Sequence, residues 1–127
     1  MLFRSEAAGD AGPTFHGCSA ARLVDARAPS ASRAVTFGSG PNPFSYSPNC
    51  LRVTQGQSVT FMGAFSVHPL APGVQGNPSA SPADNPIPAT TTGSQVEVTF
   101  PRAGVFPFFC TVHGAGGMTG VVRVEAP

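Results

Sequence analysis

Cys110 and His113 are separated by two residues in Phe108-Phe109-Cys110-Thr111-Val112-His113, and Met118 follows five residues later across Gly114-Ala115-Gly116-Gly117. A thiolate, an imidazole and a thioether are metal donors of graded softness, and a glycine-rich loop can fold back without Cβ clashes. One short loop therefore offers three donors to a single point. A fourth must come from elsewhere in the chain, where the remaining histidines are His16 and His68. His68 closes the Phe61–Val67 stretch, which reads as strand, and precedes Pro69, a placement at the rim of a sheet. His16 lies in a polar N-terminal stretch and is expected to be solvated. The predicted metal ligands are therefore His68, Cys110, His113 and Met118. Two imidazoles and a thiolate with a weak axial thioether form the set that suits one copper ion cycling between Cu(I) and Cu(II).

Other chemistries fit these residues less well. Structural zinc takes four Cys or His ligands, and a thioether is a poor one. A Cys-His nucleophile needs an orienting carboxylate or amide; none is evident near Cys110, and Asp84 belongs to a proline-rich stretch. The plainest alternative has Cys110 and Met118 filling core while His68 and His113 are surface residues.

The chain has three cysteines, so at least one is left out of any internal pairing. Cys110 has the company of a ligand; Cys18 and Cys50 do not. The expected disulfide is Cys18–Cys50, which places the protein in an oxidising compartment.

The elements that must position the ligands are strands. From Ala34 the pattern alternates with period two, the mark of strands with one buried face. Val35 to Phe37 is one short run; Leu51 and Val53 oppose Arg52 and Thr54; Val59 and Phe61 alternate with Ser58 and Thr60. Val96, Val98 and Phe100 alternate with Gln95, Glu97 and Thr99, a turn at Pro101–Gly104 leads to Val105–Cys110, and Val122 and Val124 close the chain. In the run before the ligand loop, Phe106, Phe108 and Cys110 share one face, which two large aromatics identify as the buried one. Pro69–Ser94 holds six prolines and three glycines and is expected to be irregular surface chain with no strand. Residues 1–33 read as an extension tethered by Cys18, in which only Ser19–Ala28 could form a helical turn or two before Pro29; residues 34–127 read as the domain.

Length and composition agree. A chain of 127 residues allows one core. Gly 15 and Pro 14 oppose long helices and favour short strands with turns, so the expected fold is an all-β, antiparallel β-sandwich. Charged residues make up 10% of the chain, the net charge is +1, and the seven basic residues are all arginines without a basic run, which argues against nucleic acid as a partner. No apolar run approaches a membrane span, and the first residues lack the apolar core of a leader, so the chain is expected to be a mature extracytoplasmic domain, periplasmic or secreted.

From Val105 to Val121, through Phe108-Phe109-Cys110-Thr111-Val112-His113-Gly114-Ala115-Gly116-Gly117-Met118, the chain resembles plastocyanins and other small blue copper proteins of the cupredoxin family. The likeness extends to Val53-Thr54-Gln55-Gly56-Gln57-Ser58-Val59-Thr60-Phe61 and the His68 segment, over about 90 residues from Ala34 to Val124. The resemblance implies a Greek-key sandwich with His68, Cys110 and His113 as equatorial ligands and Met118 as the axial one. It implies an electron carrier and not an enzyme, meeting redox partner proteins near His113 or at Phe109, the outward position where plastocyanins carry Tyr. The carrier is expected to work as a monomer. Pro69 stands where plastocyanins usually have an Asn that ties the two ligand segments together, so that tie must be replaced or lost. A binuclear copper centre would need a second cysteine in the loop, and multicopper oxidases carry His-Cys-His where this chain has Phe109-Cys110-Thr111. The alternatives are a copper chaperone or accessory domain, and a secreted structural β-domain without metal.

Overall fold

The structure, a computed structural model, describes residues 13–127, so residues 1–12 of the expected extension lie outside the described residues. The strands are β1 (Val24–Asp25), β2 (Ala34–Thr36), β3 (Cys50–Thr54), β4 (Ser58–Met62), β5 (Leu70–Pro72), β6 (Gln95–Thr99), β7 (Gly104–Cys110) and β8 (Thr119–Glu125). They form a five-stranded sheet in the order β1-β3-β8-β7-β5 and a three-stranded sheet in the order β2-β4-β6. This is the expected Greek-key sandwich, but its sheets are mixed where the sequence predicts purely antiparallel pairing. β7 pairs antiparallel with β8 and β5, and β4 with β6, while β1–β3, β3–β8 and β2–β4 run parallel. The parallel pairs join strands that are not linked by hairpins, because a Greek-key path crosses between sheets before it returns.

The alternation read from the sequence closes the two sheets on one another. Val53, Val59, Phe61, Val98, Phe100, Phe106, Phe108 and Val122 are buried in one cluster. Phe61 meets Phe108 across the sandwich edge-to-face, with ring centroids 5.0 Å apart. Such contacts contribute roughly 0.5–1.5 kcal/mol beyond the area they bury.

Two local expectations need correction, and a third holds in part. Pro69–Ser94 does contain a strand: β5 pairs with the end of β7 (Leu70 opposite Cys110), and Leu70 also exchanges backbone bonds with Thr90. Its proline is tolerated because β5 lies at the sheet edge. The strand before His68 ends at Met62, and His68 closes a helical turn in which its N–H donates to Ala64 O at 2.9 Å. Buried Phe65 in that turn supplies the apolar periodicity that resembles more strand. Ser19–Ala28 forms one 3-10 turn at Ala20–Arg22 and then β1, whose pairing with β3 wins over helix continuation.

The Cys18–Cys50 disulfide is present, and Cys110 is free and buried. Around the disulfide, Cys18, Cys50, Val105 and Val121 form a second apolar cluster, against which Phe15 and Leu23 pack. Phe15, Cys18 and Leu23 therefore pack on the outer face of the five-stranded sheet, β1 joins its edge, and every residue of β7 from Val105 to Cys110 is buried.

Candidate metal centre

The β7–β8 connection carries the loop that holds most of the donors. Cys110 ends β7, His113 precedes a 3-10 turn at Gly114–Gly116, and Met118 precedes β8. The loop is cinched by its own backbone: Gly116 N–H and Met118 N–H donate to His113 O at 3.0 and 3.2 Å, and Cys110 N–H donates to Met118 O at 3.0 Å. Gly117, at φ 107°, supplies the left-handed turn that returns the chain to β8. His68 arrives from the other side of β5. The backbone supplies a tie between the two segments where Pro69 has no side-chain amide: Thr111 N–H donates to Pro69 O at 3.0 Å.

The donor atoms converge. His68 Nδ1 and His113 Nδ1 are 3.1 Å apart, and Cys110 Sγ lies 4.0 Å from the first and 3.7 Å from the second. The three ligand atoms lie within 4.8 Å of one another. His68, Cys110 and Met118 are buried and His113 is partly exposed. Burial pushes the His68 imidazole below its ordinary pKa, the neighbouring His113 adds to it, and both favour the neutral ring. Two imidazole nitrogens and a sulfur that face one another this closely offer their lone pairs to one point, where a single cation would meet all three. Soft sulfur with imidazole suits copper, so the residues fit the ion that the loop's composition predicts.

Of the sequence-predicted residues, His68, Cys110, His113 and Met118 are brought to one end of the sandwich. Phe109 differs from expectation. It is 7% exposed, so its ring is not offered to a partner. A Cβ on Gly114 would lie 3.3 Å from the Phe109 ring, which shows how closely the ligand loop packs on it. His16, expected to be solvated, is half-buried, and both ring nitrogens are hydrogen-bonded within the protein.

Phe44 is a further neighbour of the site that the sequence pattern does not mark. It is 56% exposed, yet its ring is stacked on His113, with centroids 4.5 Å apart and planes 28° from parallel. Nothing in Pro41–Pro48 marks this contact beyond an aromatic between prolines. Val67 and Val112, each next to a histidine of the cluster, are 55% and 62% exposed. The ion pairs of Arg52 and Arg123 with Glu125 lie toward the far ends of β3 and β8, so the histidine end is apolar by comparison.

A mixed β-sandwich with His, Cys and His converging at one end, and a buried Met beside them, defines a copper protein of the cupredoxin class. Residues 33–125 match the copper binding proteins of the plastocyanin/azurin family, and the chain belongs to that family. It is 30% identical over 110 residues to plastocyanin of Prochlorothrix hollandica, covering 84% of each chain. Pseudoazurin of Methylobacterium extorquens superposes with a TM-score of 0.56 at 28% identity, over 74% of this chain and 75% of that one. A Cu-containing nitrite reductase from Thermus scotoductus shares the fold at 18% identity and TM-score 0.52, over 86% of this chain but 29% of the reductase. Among the described residues no helix is long and apolar enough to cross a membrane.

Proposed function

We propose that this protein carries single electrons at a mononuclear copper site built from His68, Cys110, His113 and Met118, and that it is a carrier and not itself an enzyme. Electron transfer is the function of the family to which the chain belongs. The observation that carries the reading is the convergence of His68 Nδ1, His113 Nδ1 and Cys110 Sγ within 4.8 Å at a buried end. Copper bound there supplies a one-electron couple. The protein supplies donors that are already placed. Cys110 and His68 are held out of water, and the backbone bonds of the ligand loop hold His113 and Met118 against displacement. Little then has to move when charge changes, which is what fast transfer requires.

His113 is the proposed outlet. Its ring is partly exposed, its loop neighbours are glycine and alanine, and Phe44, Val67 and Val112 give it an apolar rim. A redox partner would dock on this rim with little electrostatic steering, since the net charge is only +1. We place the protein outside the cytoplasm because its disulfide suits an oxidising compartment. We also propose residues 1–33 as an extension and 34–127 as the copper domain, in keeping with the family match from residue 33.

Adding Cu(II) to the copper-free protein tests the reading. An intense blue thiolate-to-copper band that is lost in Cys110→Ser, together with rapid electron self-exchange, is the expected result. A colourless or weakly coloured product would refute the carrier. Colourless Cu(I) binding with ready release would instead favour the chaperone.

A further inference from the structure

The His16 ring lies between two segments that border the ligand loop. Its Nδ1–H donates to Gly120 O at 2.9 Å, and its Nε2 accepts the Gln75 N–H at 3.0 Å. A carbonyl only accepts and a backbone amide only donates, so the two bonds select one neutral tautomer and use both ring nitrogens. Gly120 is two residues beyond Met118. Gln75 reaches the other side: its side-chain oxygen lies against Gly114, the residue after His113, where a Cβ would collide with it. Gly114 is itself buried.

The backbone is bent to make this possible. His16 adopts φ 53°, the left-handed region that residues with a Cβ rarely enter, and Gly17 follows at φ 73°. Such conformations persist where the surroundings hold them, and they are found where a side chain must be aimed. The next residue, Cys18, is covalently fixed to Cys50 at the start of β3. His16 and Cys18 both precede residue 33, where the family match begins.

We propose that His16 is a positioning residue of the copper site, a clasp that holds Gln75 over Gly114 and steadies Gly120, so that the loop bearing His113 and Met118 stays in place. Its effect on copper rests on the carrier reading; its effect on the loop does not. Gly114, Gly116 and Gly117 give the loop more backbone freedom to lose than any other residue type would. The amides of Gly116, Gly117 and Met118 donate back to residues 113 and 114, and the backbone ties from the loop to its surroundings lie at its ends, from Cys110 N–H to Met118 O and from Thr111 N–H to Pro69 O. Gln75 supplies an external contact, and His16 fixes the backbone of Gln75.

Two variants test the clasp. His16→Asn tolerates the left-handed backbone, but its side-chain amide is too short to reach Gln75 N–H as Nε2 does. Gln75→Ala keeps that bond and removes the cover from Gly114. In the copper-free proteins, amide hydrogen exchange at Gly116, Gly117 and Met118 is expected to quicken roughly tenfold in either variant, while amides paired between β3 and β8 keep their protection. Combining the variants should add little, because both act through one contact. In the copper-loaded proteins, release of copper to a chelator should quicken by about tenfold and the Cu(II) hyperfine splitting should change. Unchanged exchange at Gly116 to Met118 in both variants would overturn the proposal, as would loss of protection spread evenly over the sheet. If the wild-type protein forms no blue copper site, the carrier reading fails, and the copper-free exchange rates still decide the clasp.

Discussion

Replacing Cys18 and Cys50 together by alanine separates the structural cysteines from the proposed ligand. Both sulfurs are buried among Val105 and Val121, with Phe15 and Leu23 packed on them, so alanine avoids leaving a buried hydroxyl without a partner. The bridge spans a sequence separation of 32, for which the loop-entropy relation gives a stabilisation of about 3.7 kcal/mol at 25 °C. With an unfolding entropy of roughly 2.1 cal/mol/K per residue over 127 residues, the loss lowers the melting temperature by about 14 °C. The missing sulfurs leave small voids that add to the fall. Thermal unfolding of the copper-free protein, followed by circular dichroism, measures this shift. Copper loading of the same variant below its new melting point should still produce the blue band, because Cys110 is untouched. A fall of less than about 4 °C would show that the bridge does not constrain the unfolded chain as argued. Bleaching of this variant, with the colour kept in Cys110→Ser, would show that the cysteines have been assigned the wrong way round.

Met118→Leu should stay blue with a raised reduction potential and Met118→Gln should lower it, because a weak axial sulfur biases the metal's charge preference without building the site; voltammetry showing no shift in either removes Met118 from the site. Ala115→Glu puts a charge on the exposed rim beside His113 and should slow electron self-exchange without moving the visible spectrum; an unchanged rate would place the docking surface elsewhere. The Tyr46 hydroxyl is buried and has no hydrogen-bond partner among the described residues, and burial, followed by the Cys110 thiolate charge, pushes its pKa up. Tyr46→Phe should therefore raise the melting temperature of the copper-free protein by about 4 °C, for roughly 1 kcal/mol, and a fall would reveal a partner for the hydroxyl. Hydrogen bonds from the Arg27 side chain and its backbone N–H hold Asp25 down to about 2 from 3.8. A lowered folded-state pKa gives stability that is full above 3.8 and lost as pH falls through about 2. Asp25 and Arg27 are 51% and 41% exposed, and screening keeps the contribution under about 1 kcal/mol. Asp25→Asn should lower stability by that amount at neutral pH and match the wild type in strong acid, as urea titrations would read.

Short-range order in the chain carried the chemistry. Cys110, His113 and Met118 are close in sequence with glycine between them, so the folding of one loop decides that they meet. The parity of Phe106, Phe108 and Cys110 aims the thiol inward because side chains alternate along any strand, whatever sheet it joins. The division of the cysteines was legible for a similar reason, since Cys110 alone has ligand neighbours. The strand before His68 is shorter than its apolar pattern suggests, because buried Phe65, in a turn, repeats the apolar signal of the strand it follows. What covers what was not legible at all. Phe109 lies on the face that alternation assigns to solvent, but the loop and the preceding segment pack over that side of the sheet. Phe44 on His113, and His16 between Gly120 and Gln75, join residues 104 and 59 positions apart in the case of His16. Periodicity reports which face of an element is apolar; it does not report which distant segment will lie on it. Local spacing alone marks out the proposed donors and the inward face of the strand that carries Cys110. The tertiary structure decided how the ligand loop is covered, stacked and clasped, because those contacts exist only after the long-range chain crossings have been made.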